Sequence, residues 1–293
     1  MSRVRTTSRR GRQGGMALVV VLWLVVLLSI MAAGHSHNVH TDTTLAARQL
    51  QSAKARALAE AGINHVILEM LAADADTKLP VNGSLFTVRI GEDDVTIAIR
   101  DATGLVDLNA ANPELLDTAL KACGVVDTAR SDLVDAILDW RDEDSLAHLH
   151  GIEDADYIAA GVAWTSRDGA FEAIDELKYL PGMSQALYDR LTPFVTVYSG
   201  RGGLDLEYAP PALIAALTGR DVPTTGSNAA DSGSSGPRNG TFHVYASASG
   251  SAGTVASIEA VLRISRASTT PFTVLDWREP ARIEFPPREG AEG

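Results

Sequence analysis

Gly14-Gly15-Met16-Ala17-Leu18-Val19-Val20-Val21-Leu22-Trp23-Leu24-Val25-Val26-Leu27-Leu28-Ser29-Ile30-Met31-Ala32-Ala33 contains one polar side chain, Ser29, and no charge. No formally charged residue lies between Arg12 and Asp42. At 1.5 Å per residue, Met16 to Ala33 makes about 27 Å of helix, close to the hydrocarbon thickness of a bilayer. Upstream stand Arg3, Arg5, Arg9, Arg10 and Arg12 without an acid. That asymmetry predicts a cytoplasmic leader and an extracytoplasmic body, the chain crossing the inner membrane once. A secretory signal is the competing interpretation, with Met31-Ala32-Ala33-Gly34 as its cleavage site and Ser8-Arg9-Arg10 as a twin-arginine lure. It would release a soluble product.

The helical pattern continues beyond the apolar run. Residues 41–72 hold no proline, and Ala46, Leu50, Ala53, Ala57 and Ala61 recur at helical steps. One helix is expected from Met16 to about Ala72, of the order of 85 Å long, with this small-residue stripe as its packing face. Gly62 is either a tolerated defect costing about 1 kcal/mol or a packing site. Next come Leu85, Phe86, Val88 and Ile90, a Gly91-Glu92-Asp93-Asp94 turn, and Val95, Ile97 and Ile99 at strand period, which predict a hairpin. Further strands are expected at 194–198, 241–247, 255–265 and 271–277. Between the two groups lies a helix-and-loop block.

In that block Asn112-Pro113-Glu114 supplies a cap, a first-turn proline and an acid at the positive helix end. A second helix should run from Asp127 through Trp140, with Leu133, Val134, Ile137 and Trp140 inward and Asp132, Asp135, Asp139 and Asp142 outward. A third is expected at Phe171–Tyr179, followed by a tight connection and a helix at Gln185–Leu191. The stretch Leu105 to Leu116 also echoes Leu204 to Ile214, each a strand-like stub before a proline-led helix. The expected organisation is therefore a leader at 1–15, a membrane segment at 16–40, periplasmic helix and first strands at 41–104, an inserted all-helical domain at 105–193, and the remaining sheet at 194–285 with a flexible loop at 220–240. The Gly14-Gly15-Met16 junction resembles the processing site of type IV pilin-like proteins, and with it the expected fold class is α+β: a pilin-like fold whose long N-terminal transmembrane helix packs on an antiparallel sheet, plus a large inserted all-helical domain.

Charge narrows the function. The formal net charge of −12 becomes −17 once the five leader arginines are set aside. Such a body is poorly suited to nucleic acid, whose phosphates reward clustered Lys and Arg. Cys123 is the only cysteine, so no intramolecular disulfide exists and the redox compartment cannot be inferred from bridges. No Gly-x-Ser-x-Gly elbow occurs, and Gly200-Arg201-Gly202-Gly203 lacks the lysine of a phosphate loop. His148 and His150 stand at i, i+2 and do not share a helix face, which disfavours a secreted metal-dependent hydrolase. The chain is not expected to be an enzyme.

Several features then occur together in order: the Gly15/Met16 junction, the long first helix, Asp139-Trp140-Arg141-Asp142-Glu143-Asp144, Gly151-Ile152-Glu153-Asp154, and Asp175-Glu176-Leu177 leading to Pro181-Gly182-Met183. With these the chain resembles the K-type minor pseudopilins of type II secretion systems, from Gly15 to about Leu217. The segment Ser166-Arg167-Asp168-Gly169-Ala170-Phe171 departs from the family's pattern, which more often places an asparagine there. The resemblance implies cleavage after Gly15 by a prepilin peptidase, a methylated Met16, and placement at the pseudopilus tip with I-type, J-type and H-type minor pseudopilins on an inner-membrane secretion platform. Pilin-like subunits usually carry glutamate at the fifth mature position, paired in the membrane with a neighbour's N-terminal amine. Here that position is Val20, so the subunit can receive such a contact at Met16 but not make one. That suits a first subunit.

Asp132 to Asp156 holds nine acids and one basic residue, Arg141. Asp142, Asp144 and Glu153 sit at positions 1, 3 and 12 of a calcium loop, but Leu146 and Ala147 stand where a ligand and a glycine belong, so this is not an EF-hand. A solvated acidic face is the plain alternative. The resemblance implies calcium binding, with Asp142, Asp144, Glu153 and Asp154 as ligands and Asp139 as a further candidate. Lastly, Leu177-Lys178-Tyr179-Leu180-Pro181-Gly182-Met183 is similar to a helix-hairpin-helix, the basis of a rival role in a DNA-binding competence-type pilus. The acidic surroundings oppose it.

Overall fold

A computed structural model describes residues 14–72, 79–220, 239–250 and 254–279, without the side chains of 14–16 and 32–44. The leader at 1–13, most of the expected loop at 220–240 and the C-terminal tail lie outside the described residues. Helix α1 runs Gly14–Leu71. It divides between two compact units, the first ending at Lys54 and the second beginning at Ala55. Among the described residues no helix is long and apolar enough to cross a membrane. The segment expected to do so, 16–40, is described with side chains only in part.

In the second unit, strands β1 (Asn82–Ile90), β2 (Asp93–Asp101), β5 (Gly240–Ser249), β6 (Val255–Ile264) and β7 (Phe272–Arg278) form one antiparallel sheet in that order. The predicted hairpin is β1–β2, with Val88 opposite Val95. Alternation along the central strands divides the sheet into two unlike faces. Val95, Ile97, Ile99, Val244, Ala246, Ile258, Ala260 and Leu262 are buried against Ala59, Ile63, Val66, Ile67 and Met70 of α1.

The packing face of α1 differs from the expected stripe. Ala53 and Ala57 are exposed, whereas Ala55, Ala59, Gly62, Ile63, Val66 and Ile67 are buried. Alanine fits either environment, so its periodicity does not report burial. The larger Ile63, Val66, Ile67 and Met70 gain more from leaving water and set the face. Gly62 is a packing site: a Cβ there would lie 2.8 Å from Val95 Cγ1 and 3.4 Å from Ile97 Cδ1. The helix ends under Arg266, whose guanidinium donates to the carbonyls of Met70 and Ala72 at 2.6 Å.

Between β2 and its neighbour β5 the chain departs and returns. Two points along this excursion are pinned together by a short parallel pair, β3 (Val106–Asp107) with β4 (Val195–Thr196). Asp107, fully buried, fastens this neck by accepting from Asn109 N at 2.9 Å, Ala110 N at 3.2 Å, Ser199 Oγ at 2.9 Å and Gly200 N at 2.7 Å. The block carries α2 (Pro113–Ala122), α3 (Asp127–Arg141), α4 (Asp154–Ala159), α5 (Gln185–Leu191) and α6 (Pro211–Thr218). Asn112 caps α2 as expected, accepting from Leu115 N at 2.9 Å.

The expected third helix shrinks to a 3₁₀ stretch at Ile174–Tyr179. The block's core also reaches past residue 193, since Leu213 of α6 is buried in it with Leu116, Leu120, Ile137 and Leu177. The echoed segments are two proline-led helices joined where Lys121 donates to Ala216 O at 3.3 Å. Leu204–Leu206 forms no strand and leads into a turn at 206–208. Across the neck, the polar face of the sheet meets the block. Thr196 Oγ1 is 3.0 Å from His243 Nε2, and Arg278 bridges Glu259 at 3.3 Å and Asp175 at 3.5 Å.

Candidate metal centre

Helix α3 places its last turn beside the loop it feeds. Trp140 is buried, donates Nε1 to Glu176 Oε2 at 3.1 Å and lies among Tyr157, Phe171 and Tyr179 at ring separations of 6.1 to 6.2 Å. Arg141 ties the helix end to the neck through the carbonyls of Leu108 at 2.6 Å and Ala111 at 2.9 Å. These two anchors fix where Asp139 and Asp142 stand.

Asp139 corrects an expectation. It was placed on the outward face of α3 but is 0% exposed. Its carboxylate folds the following loop around itself: Oδ1 accepts from His148 N at 3.1 Å and pairs with His148 Nδ1, while Oδ2 accepts from Ile152 N at 2.7 Å. The loop comes so close that a Cβ on Gly151 would strike the Asp139 carboxylate. Periodicity misplaced this residue because the loop that buries it, 142–152, has no period of its own.

Around Asp139 the other expected residues gather. Asp142 Oδ1 and Glu153 Oε1 are buried oxygens with no hydrogen-bond partner among the described residues. Glu153 is 7% exposed. Desolvation first, then Asp144 and Asp139, push the Asp142 carboxyl above the usual range. Desolvation likewise raises Glu153, followed by repulsion from Asp139, Asp142, Asp168 and Asp154. Tyr157, also buried and with an unpaired hydroxyl, is pushed up to about 12 by desolvation and by Asp139, Glu153 and Asp154. Asp144 is more peripheral, accepting from Leu146 N at 2.9 Å.

Two residues escaped the expectation. Asp168, the one described non-glycine with positive φ (52°), turns its carboxylate toward the cluster. Ser166 Oγ lies 2.8 Å from Asp154 Oδ1 and 2.7 Å from Asp168 Oδ1. One hydroxyl proton can satisfy only one of those oxygens. The available signal was Asp168-Gly169, a pair suited to a left-handed turn. His148 was set aside for its spacing to His150, but residues 145–150 are loop, and ligand atoms of Asp139, Asp142 and His148 lie within 4.8 Å of one another. His150 goes elsewhere, to Asp132 at 3.6 Å. The hydrogen bond to Asp139 holds the His148 imidazole above its ordinary range.

Chemically the cluster offers carboxylate and hydroxyl oxygens at high negative charge density, with buried lone pairs unsatisfied. That is the donor set of a hard divalent cation. At the other end of the chain, Gly15 and Met16 fall where only backbone is described, within α1, and Val20 is 56% exposed.

Residues 98–200 match the family described as type II secretion system (T2SS), protein K. The chain is 31% identical over 206 residues to the type II secretion system protein K of Klebsiella pneumoniae, covering 63% of this chain and 62% of that one. To the protein of the same name from Aeromonas hydrophila it is 28% identical over 211 residues, 63% of each chain. To that from Pseudomonas aeruginosa it is 26% identical over 235 residues, 71% of this chain and 69% of the relative. The chain thus spans somewhat under two thirds of the first two relatives' length. In fold it is similar to a chain in the crystal structure of the GspK-GspI-GspJ complex from the enterotoxigenic Escherichia coli type 2 secretion system. The TM-score is 0.52 at 16% identity, over 83% of this chain and 99% of that one. The resemblance to type II secretion K proteins drawn from the sequence is therefore shown, together with a mixed fold of helices and antiparallel sheet.

Proposed function

We propose that this chain is a minor pseudopilin that caps the type II secretion pseudopilus, starts its assembly and so supports export of proteins across the outer membrane. The observation that carries it is the interruption of the pilin-like sheet between β2 and β5 by a helical block whose residues match the K family. In this account prepilin peptidase cuts after Gly15, Met16 becomes the methylated N-terminus, and residues 16–40 hold the inner membrane while the body lies in the periplasm. Val20 removes the acid that would reach a preceding subunit. Its partners are I-type and J-type minor pseudopilins, with an H-type subunit and the membrane platform beyond them. Support for the first two comes from the complex in which the matched fold was solved. The role is assembly, not catalysis. Co-expression with I-type and J-type subunits of the same secretion system should yield a three-part complex on size exclusion; a chain that elutes alone would contradict the assignment.

The rival DNA-binding hairpin is disfavoured by its packing. Leu177, Leu180 and Leu187 are buried, and Lys178 is held at 2.5 Å by Asp175 and lies over the Tyr188 ring. Its leucines serve the core and its lysine is already paired.

The acidic cluster is assigned to calcium, held by Asp142, Asp144, Glu153 and Asp154, with Asp168 as an added donor and Asp139 shaping the loop. The unpaired oxygens of Asp142 and Glu153 and the doubly contacted Ser166 hydroxyl support this. Calcium at about 100 times its Kd should stabilise the protein by about 2.7 kcal/mol. That gain should vanish in Glu153→Gln; persistence in the variant would remove the assignment.

A further inference from the structure

We propose that the pocket also accepts a borderline divalent transition metal of the zinc class, bound through His148 and Asp142 with buried Asp139 as the positioning residue behind the imidazole. The inference rests on this pocket being a cation site and adds a second class of cation. Calcium takes oxygen and has little use for an imidazole, whereas nitrogen is a preferred donor for zinc. Among the described residues, a ring nitrogen of His148 lies within 4.8 Å of carboxylate oxygens of both Asp139 and Asp142, and Nδ1 is the one that meets Asp139.

The arrangement behind it is that of an oriented metal ligand. Asp139, wholly buried, holds ring nitrogen Nδ1, and its second oxygen is committed to Ile152 N at 2.7 Å, so the carboxylate cannot swing. An imidazole fixed at Nδ1 by a carboxylate presents the lone pair of Nε2 outward. Asp142 brings a buried oxygen with no partner among the described residues. Glu153, 7% exposed and likewise unpaired at Oε1, borders the group and repels both carboxylates. The His148 side chain remains 43% exposed, which leaves the metal a way in.

The test uses the full chain in detergent, stripped with chelator and titrated with zinc alone and with calcium alone, read by thermal shift and by bound metal. His35, His37 and His40 form another imidazole source, so they are replaced with glutamine throughout. His148→Gln should weaken zinc by about tenfold or more while shifting the calcium midpoint less than about twofold, and Asp142→Asn should weaken zinc as well. Both substitutions leave the backbone bonds to Asp139 in place. Absence of zinc stabilisation in the parent, or zinc affinity unchanged in either variant, would overturn the proposal. Zinc dependent on His148 with no calcium effect would remove calcium and keep this site; calcium binding without zinc would do the reverse.

Discussion

At the scale of single residues, Asp139 decides whether the acidic segment is a surface or a site. Its carboxylate holds one loop from three directions, and Gly151 is the point where that loop leaves no room for a side chain. Gly151→Ala should cost about 1–3 kcal/mol in urea unfolding, although an ordinary loop glycine gains stability from alanine. It should also lower cation stabilisation, because the loop carries His148 and leads directly into Glu153. A second residue-level expectation concerns acid. Glu259 is mostly buried, and although desolvation alone would raise its carboxyl, His243 and Arg278 bring it below the usual value. Its contribution to stability is therefore complete above the ordinary glutamate value of about 4.3 and is lost as pH falls through the lower folded value. Glu259→Gln should flatten that acid limb in a series of urea midpoints; an unchanged limb would show that the Glu259–Arg278 pair carries no linkage. Of the site, Asp142, Glu153 and Asp154 were legible in the sequence as a run of acids. Asp168 and Ser166 were not, because they come from a separate loop, and His148 was discounted because only the fold of 142–152 turns it toward Asp139.

At the scale of elements, α1 shows what pattern can and cannot convey. Its extent was legible because nothing between Met16 and Ala72 breaks a helix. Its packing face was not, because alanine is indifferent to burial. Gly62 lies on that face, with Val95 at 2.8 Å from where a Cβ would stand. Helix propensity alone favours replacing it; contact with the sheet opposes this. Gly62→Val should therefore destabilise by about 1–3 kcal/mol in thermal or urea unfolding, and a stabilised variant would refute the close packing. The strands were legible from alternation, and the hairpin from its turn. The expected helix at Phe171–Tyr179 was not realised in full, since Glu176 Oε1 accepts from Glu172 N at 2.8 Å and from Ala173 N at 3.1 Å, capping the chain into a short 3₁₀ turn. Both strands of the neck were legible, as the stub after Leu105 and the strand expected at 194–198, but their parallel pairing was not, because two-residue strands carry too little pattern to choose a partner. Asp107→Ala should cost about 3 kcal/mol or more, as it strands several buried donors, each worth about 1–3 kcal/mol.

For the whole molecule, the order of elements follows from one topological fact: β2 pairs with β5, and a helical block fills the interval. Sequence patterns indicated such an insertion because strand-like segments flank a helical stretch. They placed its end too early, since α6 reads as an isolated helix until Leu213 is seen buried in the block's core. Function at this scale turns on the opposite end of the chain. The body can be a pseudopilin only if the apolar helix that begins at Met16 stays attached to it, whereas a secreted product would lose that helix after Ala33. The most direct measurement is the intact mass of the mature protein recovered from the membrane fraction. The account predicts a chain beginning at Met16, heavier by one methyl group. A soluble periplasmic chain beginning after Ala33 would contradict it.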